Sequence, residues 1–377
     1  MTKGTAVLRQ QNEKRILGLL RKEGTTSRLD ISRKLNLSKN TVSLIVDKYI
    51  KQQIIRETGT HEAPSAGRPK INIEIIPESL KSIGVYLRNQ EAYIAVTDYF
   101  LTTIDAERLQ LDTSDPETCL QKIGSCAADL IRRHPETIGV GVGLPGIVDP
   151  ERGYVHYSSH MGWEEVDVKA ALAPYLSVPL RVMNSVKASA LAVVGQLEGE
   201  PADSTFYVWI DEGVGGAFLI QDKLHVGGSW TAGEVGHLTV DPDGPNCRCG
   251  RKGCLEAFIR SESVGQRLEQ LDLEAENVST AGDAHPGVSP RERLYAEIGR
   301  YLSTALAHMI HLCNPKLIVV DSPYSWNAAF REATTEDTLR KTLGFPGDHT
   351  EFLFVRNEES PAAGAALAII QDYEYCG

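Results

Sequence analysis

Apolar positions over the first fifty residues recur at helical spacing. Residues 7–22 place Val7, Leu8, Ile16, Leu19 and Leu20 on one side, which predicts an amphipathic helix ending at Gly24. Ser27 is placed to cap a second, short helix with Leu29, Ile31 and Leu35 facing inward. A tight link at Asn36 and Leu37 follows. Ser38 then caps a third helix over residues 39–52, which buries Val42, Ile45, Val46, Tyr49 and Ile50. The period next falls to two. Residues 54–59 and 71–75 alternate as strands around a loop that carries Gly67, Arg68, Pro69 and Lys70. Helix, tight turn, capped helix and hairpin together predict a winged helix-turn-helix.

From Ser82 the pattern is that of an α/β body. Residues 83–87, 92–98 and about 100–110 read as successive strands, and residues 116–133 as a helix with Leu120, Ile123, Ala127, Leu130 and Ile131 inward. A fully apolar strand follows at 138–144 and ends in Pro145 and Gly146. A second α/β unit begins at Phe206. Helices near 291–313 precede a strand at 317–321, and a small-residue helix over 361–373 closes the chain.

Length and charge sharpen this picture. A chain of 377 residues exceeds one simple core. Residues 1–75 hold 15 Lys and Arg against 7 Asp and Glu, a net +8, while the rest of the chain carries −19. A basic head on an acidic body suits a head that meets a polyanion, although a solvated charged face has the same signature. The start of the third helix offers Ser38, Lys39, Asn40, Thr41 and Ser43 to phosphates and base edges in a major groove. Arg68, held between Gly and Pro beside Lys70, can reach a minor groove from the wing. A three-helix protein-interaction module is the competing reading of the head. No apolar run approaches membrane-spanning length, and the N-terminal residues lack a signal-peptide pattern. A cytoplasmic, reducing setting without membrane contact is expected, with Cys119, Cys126, Cys313 and Cys376 as scattered small hydrophobes.

The densest chemistry lies at 233–256. His237, Cys247, Cys249 and Cys254 fall within eighteen residues, separated by Gly and Pro. One imidazole and three thiols can close a tetrahedral structural zinc site. Glu234 and Glu256 bracket these ligands, so a folded knuckle would fix two carboxylates as acceptors for the hydroxyls of a small polar ligand.

These motifs, together with residues 143–149 (Gly-Leu-Pro-Gly-Ile-Val-Asp) and 161–163 (Met-Gly-Trp), resemble the ROK family of repressors and sugar kinases over about residues 80–375. The leading winged helix resembles that family's transcription-regulator branch. The resemblance implies a two-lobed actin-like ATPase fold with a sugar in the cleft. Residues 1–75 would form the DNA-binding head and 76–377 the body. The body would comprise a first lobe of about 80–185 with the helix 361–375, and a second lobe of about 186–360 carrying the knuckle. Sugar contacts would come from Asn184, Glu234, His237 and Glu256, with Gly146 a weaker candidate. His237 could bind zinc through one ring nitrogen and a sugar hydroxyl through the other.

The kinase machinery departs from the family pattern in four places. The residue after the cleft Asn is Ser185 where kinases have the general base Asp, and a hydroxyl cannot take a proton at pH 7. The first phosphate loop reads Tyr86, Leu87, Arg88, Asn89. The second carries Asp211 and Glu212, and the adenosine loop reads Asp321, Ser322, Pro323. The expectation is a catalytically inactive, dimeric or dimer-of-dimers repressor that releases operator DNA when a carbohydrate binds, with xylose or another aldose favoured. A sugar kinase with an unusual base, and a regulator whose body binds a protein, are the alternatives. The preference for an uncharged sugar rests on the lack of an Arg or Lys cluster beside the cleft motifs.

Overall fold

A computed structural model describes residues 3–61, 70–197, 202–221, 223–278 and 289–374. In the head, helix Lys3–Glu23 packs Ile16, Leu17 and Leu20 against Ile31, Val42, Ile45, Val46 and Tyr49. Val7 and Leu8, expected on its apolar side, are 53% and 60% exposed. Among the described residues, this helix joins the head's core from Ile16 onward. Helices Arg28–Leu35 and Lys39–Lys51 follow, capped by the Ser27 and Ser38 side chains. Asn36 joins them in the left-handed conformation (φ 53°), which suits a short polar residue. The wing strands Ile55–His61 and Lys70–Ile75 pair antiparallel, and Thr25–Ser27 adds a third strand that the alternation did not reveal. Gly67, Arg68 and Pro69 at the wing tip lie outside the described residues, as does the Lys70 side chain.

The body repeats one architecture. In the first lobe, Lys81–Arg88, Glu91–Thr97 and Thr103–Gln110 form an antiparallel meander, and Thr137–Leu144 and Leu180–Asn184 extend it in parallel on the other side. In the second lobe, Ser204–Ile210, Val214–Ile220 and Lys223–His225 meander, and Leu317–Asp321 and Glu351–Val355 extend in parallel. The strand order is the same in both. This is a two-lobed α/β fold of the actin-like ATPase type behind a winged helix-turn-helix. Helix Pro116–Arg133 covers the outer face of the first sheet, and Pro290–Cys313 that of the second. A small third sheet of Ile147–Asp149, Tyr154–Ser158 and Trp163–Asp167, absent from the sequence reading, forms part of the first lobe's wall.

Two helices, Ser185–Gly195 and Ser360–Glu374, lie between the lobes and share a core with Tyr207, Trp209, Ala217 and Val319 of the second sheet. The alternation of strand Thr137–Leu144 explains how the C-terminal helix sits on the first sheet. Val140, Val142 and Leu144 enter the outer core, while Gly139, Gly141 and Gly143 turn to the helix. An added Cβ at these glycines would meet Ile369 at 2.7 Å, the Ala365 carbonyl at 2.0 Å and the Pro361 carbonyl at 3.3 Å. Two strand residues rise about 6.6 Å and four helical residues about 6.0 Å, so glycines two apart match helix positions four apart. Gly364 likewise lets the helix approach the Ala188 carbonyl, where a Cβ would fall within 1.7 Å.

The far end of the same helix holds the head. Glu374 is buried and accepts from Arg21 Nε at 2.6 Å, Arg21 Nη2 at 2.9 Å and the Tyr99 hydroxyl at 3.0 Å. Ile370, Tyr99 and Leu80 complete one apolar core with the head's helices. Among the described residues no helix is long and apolar enough to cross a membrane. Gly141→Ala should force the C-terminal helix off the first sheet and lower stability by about 2 kcal/mol or more, since overpacking against backbone cannot relax by a rotamer change. Thermal denaturation of the variant beside wild type measures this, and an unchanged melting temperature would contradict the contact.

Candidate functional site

The knuckle folds as a loop after the short turn Val235–His237 and before the helix Leu255–Ile259. Backbone pairing of Cys247 with Arg251 and of Gly253 with Pro245 closes it. One donor atom each from His237, Cys247, Cys249 and Cys254 lies within 4.8 Å of all the others. Cys247 Sγ is 3.7 Å from His237 Nδ1, and Cys249 Sγ is 3.7 Å from Cys254 Sγ. Bonds of about 2.3 Å at tetrahedral angles require sulfur–sulfur edges of about 3.8 Å, so the donor set fits such an ion. Burial raises the Cys249 thiol's pKa, but hydrogen bonds from the Arg251 backbone and side chain and from the Cys247 and Cys254 thiols together bring it down to about 6.

Beside the knuckle the two lobes enclose a cleft of about 580 Å³. Asn184, Gly146, Glu234, His237 and Glu256 all line it, although they come from both lobes. Their environments differ. Glu256 is 5% exposed, and its Oε2 accepts the Val214 N–H at 3.1 Å. Its Oε1 lies 3.9 Å from Cys247 Sγ, so the knuckle and the cleft share this carboxylate. Glu234 is exposed at the cleft wall, close enough to the buried Lys187 to oppose the lowering of that amine's pKa by burial. Asn184 caps its helix, its amide oxygen accepting the Val186 and Lys187 N–H groups at 3.0 and 3.2 Å. Its amide nitrogen donates to the Gly146 carbonyl at 2.9 Å, leaving one N–H for a ligand. Gly146 (φ 125°) admits no side chain, because a Cβ would lie 2.4 Å from the Tyr157 carbonyl.

The four kinase departures fall as follows. Ser185 lines the cleft and is buried. Tyr86 lines it too, its phenol's pKa raised by burial and by Asp211 and Glu212. Asp211 is not a bare charge, since Arg356 Nη2 lies 3.4 Å away and the Ser261 hydroxyl donates to it at 3.1 Å. Asp321 departs from expectation. It is fully buried, outside the cleft lining, and accepts from the Tyr207 hydroxyl at 2.9 Å and the Asn357 N–H at 3.1 Å. Burial raises its pKa to about 6 against those hydrogen bonds. Asp321 therefore braces the joint between the second sheet and the C-terminal helix, and does not obstruct a ligand.

Sequence reasoning missed several residues here. Arg88, Arg248 and Arg251 all line the cleft, which corrects the expectation that no cationic cluster stands beside it. Each is engaged: Arg88 with Glu91 at 3.2 Å, Arg248 with the Glu212 carbonyl at 2.6 Å, and Arg251 with Cys249. Asp211, Glu212, Glu234 and Glu256 outnumber them in the same wall. His160 reaches across from the first lobe, so close to Gly213 that a Cβ there would meet its Nε2 at 2.9 Å. Burial and Arg248 lower its pKa. Arg248 and Arg251 are legible inside the knuckle sequence; their convergence with Arg88 is not, because that depends on lobe packing.

At the head, the Ser38 hydroxyl accepts the Thr41 N–H at 3.1 Å and lies 2.8 Å from the Thr41 hydroxyl. These two side chains shape the helix start. Lys39 and Asn40 are exposed, Ser43 is half-buried, and Leu44 is 64% exposed off the buried stripe. Leu44 was missed, although its position between Val42 and Ile45 signals it.

The fold and site define a two-lobed ligand-cleft protein with a DNA-binding head. The chain belongs to the ROK family, whose sequence profile matches residues 82–370. A winged helix-turn-helix DNA-binding profile matches residues 9–56. The DNA-binding transcriptional dual regulator NagC of Escherichia coli K12 is 27% identical over 330 residues, covering 83% of this chain and 80% of its own. The xylose repressor of Bacillus subtilis is 25% identical over 319 residues, covering 83% and 82%. A crystal structure of a ROK family transcriptional regulator, a homologue of the E. coli MLC protein, superposes with a TM-score of 0.82 at 21% identity, covering 97% of both chains. A Streptomyces griseus ROK glucokinase bound to glucose and AMPPNP matches the body with a TM-score of 0.66 at 22% identity, over 77% of this chain and 99% of that one.

Asn184→Ala should lower stability by about 1–2 kcal/mol without any ligand, because it removes a helix cap and the Gly146 tether together. Glu234→Ala, at an exposed position, should change stability by less than about 0.5 kcal/mol. Chemical denaturation of both variants measures the contrast, and equal losses would contradict this division of roles.

Proposed function

We propose that this protein is a sugar-responsive transcriptional repressor that binds operator DNA as a dimer and releases it when a carbohydrate fills the cleft. One observation carries the reading: Asn184, Glu234, His237 and Glu256 converge in a single cleft of a chain that begins with a winged helix. The repressors among its relatives support this role. Lys39, Asn40 and Ser43 are the proposed base and phosphate contacts, with Ser38 and Thr41 ordering the helix start and Arg68 and Lys70 acting from the wing. The effector is an uncharged aldose, xylose first, since the carboxylates of the wall outnumber its guanidinium groups. The cleft does not phosphorylate its sugar, because Ser185 supplies no base and Tyr86 fills phosphate-loop space.

Release requires that the sugar prefer one lobe arrangement. A tenfold loss of DNA affinity needs about 1.4 kcal/mol of coupling, which a few hydrogen bonds can supply. The test uses a DNA fragment selected on the purified protein and a panel of aldoses. Affinity should fall steeply with salt, as phosphate neutralisation dictates, and fall further with the responding sugar. Glu234→Gln should keep DNA binding and lose the sugar response. Retention of the full response by this variant, or sugar phosphorylation by wild type, would overturn the reading.

We further propose zinc as the ion of the Cys3His site, with a structural role. Metal analysis should find one equivalent per chain. Cys249→Ser should lose the metal and several degrees of melting temperature together, because metal binding and loop folding are coupled. Metal-free wild type with unchanged stability would refute it.

A further inference from the structure

Next to the proposed sugar contacts the cleft wall turns apolar. Gly146, tied by its carbonyl to Asn184, is followed directly by Ile147. Ile147 stands opposite Tyr157 in the antiparallel register of the small sheet, so the two side chains are neighbours on one face. Both line the cleft, and both are left open, at 38% and 46% exposure. Tyr86, Pro145, Val186, Trp209, Val214 and Leu238 also line the cleft but are buried or half-buried, so Ile147 and Tyr157 are its exposed apolar shelf. The cleft volume of about 580 Å³ exceeds what a single pyranose needs.

The same strand also clasps the opposite lobe. On the face away from Tyr157, the His156 ring stacks on Trp230 of the second lobe, with centroids 6.1 Å apart and planes within 13°. Tyr154 packs edge-on against His156 at 5.3 Å, and the Arg152 guanidinium lies 4.6 Å from the Tyr154 ring. Glu165 accepts the Tyr154 hydroxyl at 3.0 Å and lies 3.4 Å from His156 Nδ1. Both anchors of this column are backbone outliers. Glu165 (φ 53°) and Trp230 (φ 59°) occupy the left-handed region that long and bulky side chains avoid. Strain of this kind persists where surrounding structure imposes it, and it concentrates at ligand clamps. Thr231, next to Trp230, lines the cleft across from the shelf.

We infer that the shelf of Ile147 and Tyr157 is a second subsite, which takes the apolar face of a further sugar ring or aglycone, so that a glycoside of the proposed aldose binds more tightly than the free aldose. The inference rests on the cleft being a sugar site. A pyranose presents C–H groups on one face, and an exposed Tyr offers a rigid platform for them with a hydroxyl at its edge. The His156–Trp230 stack on the other face of the strand ties the sheet that carries this platform to the second lobe.

The test is calorimetry on the full chain with matched pairs: D-xylose with xylobiose, D-glucose with cellobiose, and N-acetylglucosamine with chitobiose. For the responding pair the disaccharide should bind about tenfold tighter than its monosaccharide. Tyr157→Ala should erase that difference and leave monosaccharide affinity within about twofold of wild type. Ile147→Ser serves as the second variant should the first fail to fold, with the same outcome expected. Equal affinities within every pair, or a disaccharide advantage untouched by both variants, would overturn the subsite while leaving the sugar-response reading intact. Failure of all six saccharides to bind wild type would overturn both.

Discussion

The register between a stripe of glycines and a row of helix residues is the constraint on which the remaining structure depends. Gly139, Gly141 and Gly143 face Ile369, Ala365 and Pro361 because two steps of a strand nearly equal four steps of a helix. That match sets the C-terminal helix directly on the first sheet, close enough that backbone touches backbone. From there its other faces meet the helix Ser185–Gly195 and the second sheet, and its last residue anchors the head. Lobe, lobe and head are thus referred to one element. The sequence of that helix is mostly Ala, Gly and Ile because it has almost no solvent side to fill.

The site inherits its geometry from the same arrangement. Asn184 stands at the end of a first-lobe strand and caps the interlobe helix, so a side chain of the cleft wall also sets the helix start. Glu256 is held from the other lobe by the Val214 N–H and by the knuckle. A buried carboxylate fixed on two sides is a preorganised acceptor, whereas the exposed Glu234 must be ordered by whatever binds. Four carboxylates and three guanidinium groups share the wall, and members of both sets are already engaged.

Much of this was legible beforehand. The capped helices of the head, the strand at 317–321, the helix at 116–133 and the Cys3His spacing are local patterns, and local patterns carry their own physics. The strand at 138–144 was legible as buried, but the reason for its glycines was not, since that depends on a helix more than two hundred residues away. Val7 and Leu8 look like core in a periodic count and are exposed, since the head's core takes up the described part of that helix only from Ile16 onward. The small sheet around Tyr157 escaped because its strands are short and its path needs a left-handed Glu165, which no propensity foretells. Asp321 reads as a misplaced acid in a ligand loop and proves to be a buried brace, a distinction that only the Tyr207 hydroxyl and the Asn357 N–H make.

One consequence of the C-terminal helix concerns leverage. Its 15 residues span about 22 Å, from Ser360 beside the cleft joint to Glu374 under the head. Measured against the second lobe, a rotation of about 10° at the Ser360 end would sweep the Glu374 end through about 4 Å. The salt bridge to Arg21 and the shared core would carry the head with it. In the proposed dimer two heads would have to match half-sites spaced by about one turn of the double helix, so a displacement of that size in each protomer would disturb the match. The stiffness of this lever arm, set by how tightly the glycines hold it, would decide how much of a small movement in the cleft arrives at the DNA.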